Sequence, residues 1–232
     1  MTAPSLAGLS SMATKYALAD LAREYERATG TRVGIESAAG VDAARRVEAG
    51  EKLDFVVLAA DAIDRLASKG VLSGNRIDVA ASGVAIAVKD GARAPDISSE
   101  EAVRDAVMKA RTVGYSTGPS GVYLLQLFDR WGIAESIKAR LVQAPPGIPV
   151  GAMVETGDVE LGFQQLSELI HVPGIRIVGP LPDAIQIVTT FSGAVCASSR
   201  QPEAALDWLT FAAAPGATAA KTRNGMQFPR FS

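Results

Sequence analysis

The sequence predicts a two-lobed α/β protein, and three observations carry that prediction. Strand and helix patterns alternate along most of the 232 residues. Two long apolar stretches, Val79 to Val88 and Ile185 to Ala197, each carry a glycine inside (Gly83 and Gly193) and bracket the middle of the chain. Turns of small and hydroxyl residues recur where strand patterns give way to helix patterns.

The elements follow in order. Leu6 to Leu9 is a short apolar run. Ala13 to Thr29 has Leu18, Leu21, Ala22 and Tyr25 at helical spacing, and Gly30 closes it. Thr31 to Ile35 reads as a strand and Val41 to Ala49 as a helix ended by Gly50. Phe55 to Leu58 is wholly apolar, as in a strand covered on both faces. Asp61 is expected to cap a helix through Lys69, with Gly70 after it. This order predicts a parallel sheet with helices on both faces. A second α/β set comprises helices at Ser99 to Lys109, Ser120 to Trp131 and Val150 to Thr156, the last ended by Gly157. Its strands are Thr112 to Tyr115, Arg140 to Gln143, Val159 to Phe163 and Ile175 to Val178. Helices at Pro202 to Ala213 and Gly216 to Arg223 close the chain. The two apolar stretches serve as crossings, so one lobe takes 1–82 plus 193–232 and the other 83–192, with a hinge near Ser82-Gly83 and Ser192-Gly193.

Composition removes several function classes. Net charge is −2 and the basic residues are scattered, so no basic block offers a nucleic-acid track. No apolar run reaches membrane-spanning length. Residues Met1 to Ser5 lack a charged region and a long apolar core, so they do not read as a secretory leader. The chain is therefore expected in the periplasm if a leader has been removed, and in the cytoplasm if it is complete. The single Cys196 lies in an apolar stretch and reads as a small core residue. The lone His171 reads as a loop or capping residue. Together they leave no His/Cys set for zinc, and no metal or cofactor is expected. There is no GxSxG elbow and no phosphate-loop or dinucleotide fingerprint.

The chemistry concentrates at three strand-to-helix turns: Ser10-Ser11-Met12-Ala13, Ala38-Ala39-Gly40-Val41, and Tyr115-Ser116-Thr117-Gly118-Pro119-Ser120-Gly121. Each offers backbone N–H groups at a helix start, and two of them add hydroxyls. Such termini attract anions. In open parallel sheets these turns lie at the carboxyl ends of strands, where ligands bind. The plainer reading of any one turn is helix capping. Gln164 and Gln165 end an apolar strand, where their amides either reach a ligand or cap the next helix. For proton transfer the residue types available are Lys15, Asp42, Glu168 and Tyr123, with Lys15 and Glu168 the leading pair. Arg45, Arg46 and Arg76 either supply charge for a carboxylate or serve as surface partners.

At these same turns the chain resembles a known family. The stretches are Leu9-Ser10-Ser11-Met12-Ala13, Gly40 to Gly50, Asp54 to Ala60, Gly74 to Asp78, Tyr115-Ser116 with Gly121-Val122-Tyr123, and Gly162-Phe163-Gln164-Gln165-Leu166-Ser167-Glu168-Leu169. Pro173-Gly174-Ile175 and Gly179-Pro180-Leu181-Pro182 also fit. In order and spacing they resemble the molybdate-binding-protein-like group of ABC-transporter solute-binding proteins. The resemblance implies the type II periplasmic-binding fold and a small anion held in an interlobe cleft. Its site residues would be Ser10, Ser11, Met12, Ala39, Gly40, Val41, Ser116, Thr117, Gly118, Ser120, Gly121, Val122, Tyr123, Gln164 and Gln165. It also implies a monomer, with an ABC permease as partner if the chain is exported. Molybdate binders of the group resemble one another in a serine at the second turn, where this chain has Ala39-Gly40. The run Gln164-Gln165 with Ser167-Glu168 looks like the organic-acid subgroup, which includes proteins similar to aconitate isomerase. Two functions from different classes follow: binding a di- or tricarboxylate without chemistry, or moving a double bond by allylic proton transfer. Molybdate or tungstate binding stands behind both. A transcriptional effector domain fits least, because no helix-turn-helix precedes the first strand.

Overall fold

The computed structural model describes residues 5–229, so the reading of residues 1–4 lies outside the described residues. In chain order the elements are β1 (Ser5–Ser11), α1 (Lys15–Thr29), β2 (Arg32–Ala38), α2 (Gly40–Glu48), β3 (Phe55–Ala59), α3 (Ala60–Ser68) and β4 (Leu72–Lys89). Then come α4 (Glu100–Lys109), β5 (Val113–Tyr115), α5 (Pro119–Arg130), α6 (Ala134–Ile137), β6 (Leu141–Gln143), α7 (Val150–Thr156), β7 (Leu161–Gln165), α8 (Leu166–Leu169) and β8 (Ile175–Pro180). The chain ends with β9 (Val188–Cys196), α9 (Pro202–Ala213) and α10 (Thr218–Arg223). It divides into two compact units, 1–81 with 190–232 and 82–189. The chain passes from one to the other along β4 and returns along β9.

In the first unit β1 pairs in parallel with β2 and β3, while β9 runs antiparallel to β3. The all-parallel expectation is corrected here: β9 pairs with β3 in the opposite sense, Phe191 opposite Ala59 and Val195 opposite Phe55. β3 shows why its sequence has no polar alternation. Phe55 and Val57 join Leu18, Leu21, Trp208 and Leu209 on one face, and Val56 and Leu58 join Val47, Ile63 and Leu66 on the other. Trp208 is fully buried and meets Tyr25 edge-on at 5.4 Å and Phe55 at 5.9 Å between ring centroids. Gly8 makes room for this group, since a Cβ there would lie 2.1 Å from the Phe55 ring. Gly193 likewise answers to packing: a Cβ would lie 2.4 Å from Leu209. Cys196 is buried in the second of these clusters. Burial, and then the nearby Asp54 charge, push its thiol up to about 12. It is a core residue and not a nucleophile at ordinary pH.

In the second unit β5 pairs in parallel with β6 and β7, and β4 runs antiparallel to both β7 and β8. Val84, Ile86, Val113 and Phe163 meet α4 and α5 through Val103, Val107, Leu124 and Phe128. The other face packs on Val150 and Val154 of α7 and on Leu169 of α8.

Several element boundaries differ from expectation for physical reasons. β4 begins at Leu72, ahead of the apolar stretch, because its first half (Ser73 to Arg76) is exposed and polar. The stretch from Ile185 is first a 3-10 turn over Asp183–Ile185, and the strand starts at Val188. Asp61 does not cap α3. The cap position is Ala59, and Asp61 sits on the exposed first turn, bonded to Arg65 at 2.7 Å. The strand expected at Val159 lies at Leu161–Gln165, and the last helix begins at Thr218 after a 3-10 turn.

Candidate functional site

Both units present donor-rich turns at the carboxyl ends of their parallel strands. In the first unit β1 ends at Ser10-Ser11, beside the ends of β2 and β3. Ser10 Oγ bonds Ser37 Oγ across the register at 2.9 Å, tying the ends of β1 and β2 together. Ser11 behaves differently. Its Oγ is buried and has no hydrogen-bond partner among the described residues, and the residue is 7% exposed. A buried hydroxyl without a partner carries a desolvation cost of about 1–3 kcal/mol unless a ligand engages it. A 3-10 turn, Met12–Thr14, then leads into the fifteen-residue α1. Thr14 Oγ1 donates to the Ser11 carbonyl at 3.0 Å and fixes that turn.

The second turn enters α2, whose cap position is Ala39, with no side-chain capping bond. The first N–H groups of that helix, beginning at Gly40, have no intrahelical acceptor. Val41 stands out from it at 69% exposed.

In the second unit β5 leads to Ser116, and α5 starts from a Gly118 cap position, again without a side-chain cap. The contrast with α4 is informative. There Ser99 Oγ accepts from the Ala102 N–H at 3.2 Å, an ordinary N-cap. The hydroxyls at the candidate turns do not cap. Ser116 Oγ instead meets Ser120 Oγ at 3.2 Å, and Ser120 Oγ donates to Gln165 Oε1 at 2.9 Å. Thr117 is half-buried, whereas Val122 and Tyr123 are more than half exposed on the first turn of α5. Gly121 allows the loop to fold back, because a Cβ there would lie 1.9 Å from the Ser116 carbonyl oxygen.

Gln164 and Gln165 are buried and spend their amides inside the protein. Gln165 Nε2 donates to Thr189 Oγ1 at 3.0 Å. Gln164 Oε1 accepts from the Val150 N–H at 2.8 Å, so it satisfies the first turn of α7 and not the helix that follows it in sequence. Its Nε2 donates to Glu168 Oε1 at 2.7 Å. Burial pushes the Glu168 carboxyl up to about 7, against the opposing Gln164 bond.

The remaining candidates have the following local surroundings. Lys15 is exposed, with its ammonium over the Tyr16 ring at 5.3 Å. Asp42 pairs with Arg45 at 2.7 Å. Arg46 is bonded to Glu36 and Glu51. Arg76 pairs with Asp78 at 2.6 Å and Asp64 at 3.1 Å, and donates to Ser192 Oγ at 2.9 Å. These arginines are taken up by local partners. His171 lies in the turn after α8.

Sequence reasoning missed two things: that Ser11, like Ser167, carries a buried hydroxyl without a partner among the described residues, and that Gln164 reaches back to Val150. Both depend on side-chain direction, which residue spacing does not carry.

The family model described as bacterial extracellular solute-binding protein matches residues 6–227. A curated relative, the aconitate isomerase of a Pseudomonas species, is 39% identical over 96% of this chain and 87% of its own length. Among solved structures, the periplasmic molybdate-binding protein of Azotobacter vinelandii superposes with a TM-score of 0.80 at 19% identity, covering 97% of this chain and 100% of that one. A sulfate-binding protein of Mycobacterium tuberculosis gives 0.78 at 16% identity, covering 96% and 86%. The fold is therefore that of periplasmic binding proteins. Among the described residues no helix is long and apolar enough to cross a membrane. From the match over nearly its whole length, the chain belongs to the bacterial extracellular solute-binding protein family.

Proposed function

We propose that this protein binds an unsaturated tricarboxylate of the aconitate type and isomerises it by moving the double bond. The observation that carries the reading is the 39% identical aconitate isomerase, matched over 96% of the chain. The ligand's carboxylates would be held by donors at Ser10, Ser11, Met12 and at Ala39, Gly40, Val41 in the first unit. In the second unit the donors would be Ser116, Thr117, Gly118, Ser120 and Gly121. Val122 and Tyr123 would add apolar contact, and Gln165 would hold Ser120 in place. Charge-assisted bonds of this kind suit carboxylate oxygens. The partnerless Ser11 hydroxyl supports the reading, because a ligand oxygen would complete it. The missing hydroxyl at Ala39-Gly40 weighs against a bare tetrahedral oxyanion, which needs many donors.

The chemistry removes a proton from the methylene carbon beside a carboxylate and returns one to the far carbon of the allylic system. N–H and O–H donors at the ligand carboxylates stabilise the charge that develops between the two steps.

Holding the acid without converting it is the second reading, favoured by the family's description as solute-binding. In that case a permease would take the acid onward. Either activity would lie outside the cytoplasm, in keeping with the same description.

Calorimetry with cis-aconitate, trans-aconitate, citrate, molybdate and sulfate tests the ligand class. The expected result is submicromolar to micromolar binding of an aconitate isomer, and no binding of the inorganic anions at the same concentrations. Binding of molybdate alone would overturn it. A variant sharpens the test. Ser11→Ala is expected to weaken aconitate binding about 10- to 100-fold, the worth of one hydrogen bond to a charged group. Its melting temperature should stay equal or rise, because the hydroxyl it loses has no partner among the described residues. A lower melting temperature with unchanged affinity would make Ser11 a structural residue only.

A further inference from the structure

We propose that Glu168 is the group that takes and returns the migrating proton, through its Oε2, and that Gln164 is the positioning residue that leaves this oxygen free. The proposal rests on the isomerase reading above.

The geometry of the second unit carries it. The turn from β7 into α8 is bonded to both places where the chain enters and leaves that unit. The Ser167 N–H donates to Ser82 Oγ at 3.3 Å, and Gln165 Nε2 donates to Thr189 Oγ1 at 3.0 Å. The same turn is bonded to the donor loop through Ser120 and Gln165, at 2.9 Å. Glu168 thus belongs to the end of the unit that carries the candidate donors, although Gln164 and Gln165 leave β7 on opposite faces.

Gln164 settles which oxygen works. Its Oε1 accepts from the Val150 N–H at 2.8 Å, so its NH2 end must be the one facing Glu168. Glu168 Oε1 accepts that N–H at 2.7 Å and is occupied. No bond to Oε2 is formed among the described residues, and the residue as a whole is only partly buried. Among the described residues no Lys or Arg pairs with Glu168. Burial and the Gln164 bond are the two influences on its titration, with no contribution from a charged neighbour. A carboxyl poised near neutrality serves as base and acid in turn far better than one near 4.

The step balances within the pair. Glu168 Oε2 takes a methylene proton: a C–H bond breaks, an O–H bond forms, and the electron pair enters the conjugated system. The same O–H then delivers its proton to the former vinyl carbon, and the double bond ends one position along. Nothing is oxidised, reduced or consumed. The two carbons flank one central carbon, so a single group reaches both from one face.

The test uses the full chain. Wild type is expected to convert cis- to trans-aconitate, and Glu168→Gln to bind cis-aconitate within about threefold of wild type while losing about 10²–10⁴ in turnover. Glu168→Asp, which keeps a carboxyl on a shorter stem, should recover part of that turnover. Gln164→Met should shift the acidic limb of the kcat/KM profile upward, because the bond it removes favours the carboxylate. Glu168→Gln turning over within tenfold of wild type would overturn the assignment and leave the isomerase reading intact. Equal loss in Gln and Asp variants, with an unmoved profile in Gln164→Met, would make Glu168 structural and also overturn it. A wild type that binds aconitate but does not convert it would end both.

Discussion

Replacing Lys221 with Met is expected to stabilise the protein at pH 7 by about 1–3 kcal/mol. Lys221 lies on α10, is 0% exposed, and its ammonium has no hydrogen bond or ion pair among the described residues. The ammonium lies over the Phe228 ring, 4.2 Å away. Burial pulls its pKa down from 10.5 to about 8. That difference corresponds to a ceiling of about 3 kcal/mol. The sign follows from proton counts. Below pH 8 the amine is charged in the folded and unfolded chains alike, and the cost is fully present. Between about 8 and 10.5 the unfolded chain holds more protons, so stability rises with pH through that window and levels off above it. A Met at this position keeps most of the volume and removes the charge. Denaturant titrations at pH 7 and pH 10 should show wild type gaining on the variant as pH rises. A variant less stable than wild type at pH 7 would mean that the ring contact outweighs desolvation.

Gly121→Ala is expected to damage binding more than any other single-methyl change in the second unit. The added Cβ would stand 1.9 Å from the Ser116 carbonyl oxygen and 2.9 Å from its carbon. Both are backbone atoms that cannot rotate away, so the loop must open. Opening it separates Ser116 from Ser120 and breaks the Ser120–Gln165 bond. We expect aconitate affinity to fall at least about 10-fold, with a stability loss of about 1–3 kcal/mol from overpacking. Gly118→Ala is the control for stability, since its Cβ would meet only Ser116 Oγ at 3.7 Å. Calorimetry and thermal melting on both variants decide the matter. Unchanged affinity in Gly121→Ala would remove this loop from the binding site.

The frame of the protein was legible where hydrophobic pattern and glycine punctuation agree. β3 is five apolar residues because both of its faces are covered. Gly30, Gly50, Gly70 and Gly157 all follow helices in left-handed conformations that favour glycine. The polar first half of β4 and the four-residue helices α6 and α8 were not legible, being too short or too exposed to leave a periodic trace. The donor turns could be found from residue type and position. The bonds among them could not. Gln164 to Val150 and Gln165 to Ser120 join residues 14 and 45 apart, and the face each amide takes depends on the pleat of β7. The arginines illustrate the converse. By residue type Arg45, Arg46 and Arg76 suit a carboxylate ligand, yet neighbouring acids had already claimed them.

The central claim is that this member of the solute-binding family performs an isomerisation. Proton NMR of cis-aconitate incubated with the purified full chain tests it most directly. Catalytic turnover to trans-aconitate, many equivalents per protein and approached also from the trans isomer, is the predicted result. A spectrum that stays that of cis-aconitate at high protein concentration, while calorimetry registers tight binding, would contradict the claim and leave a carrier of the acid.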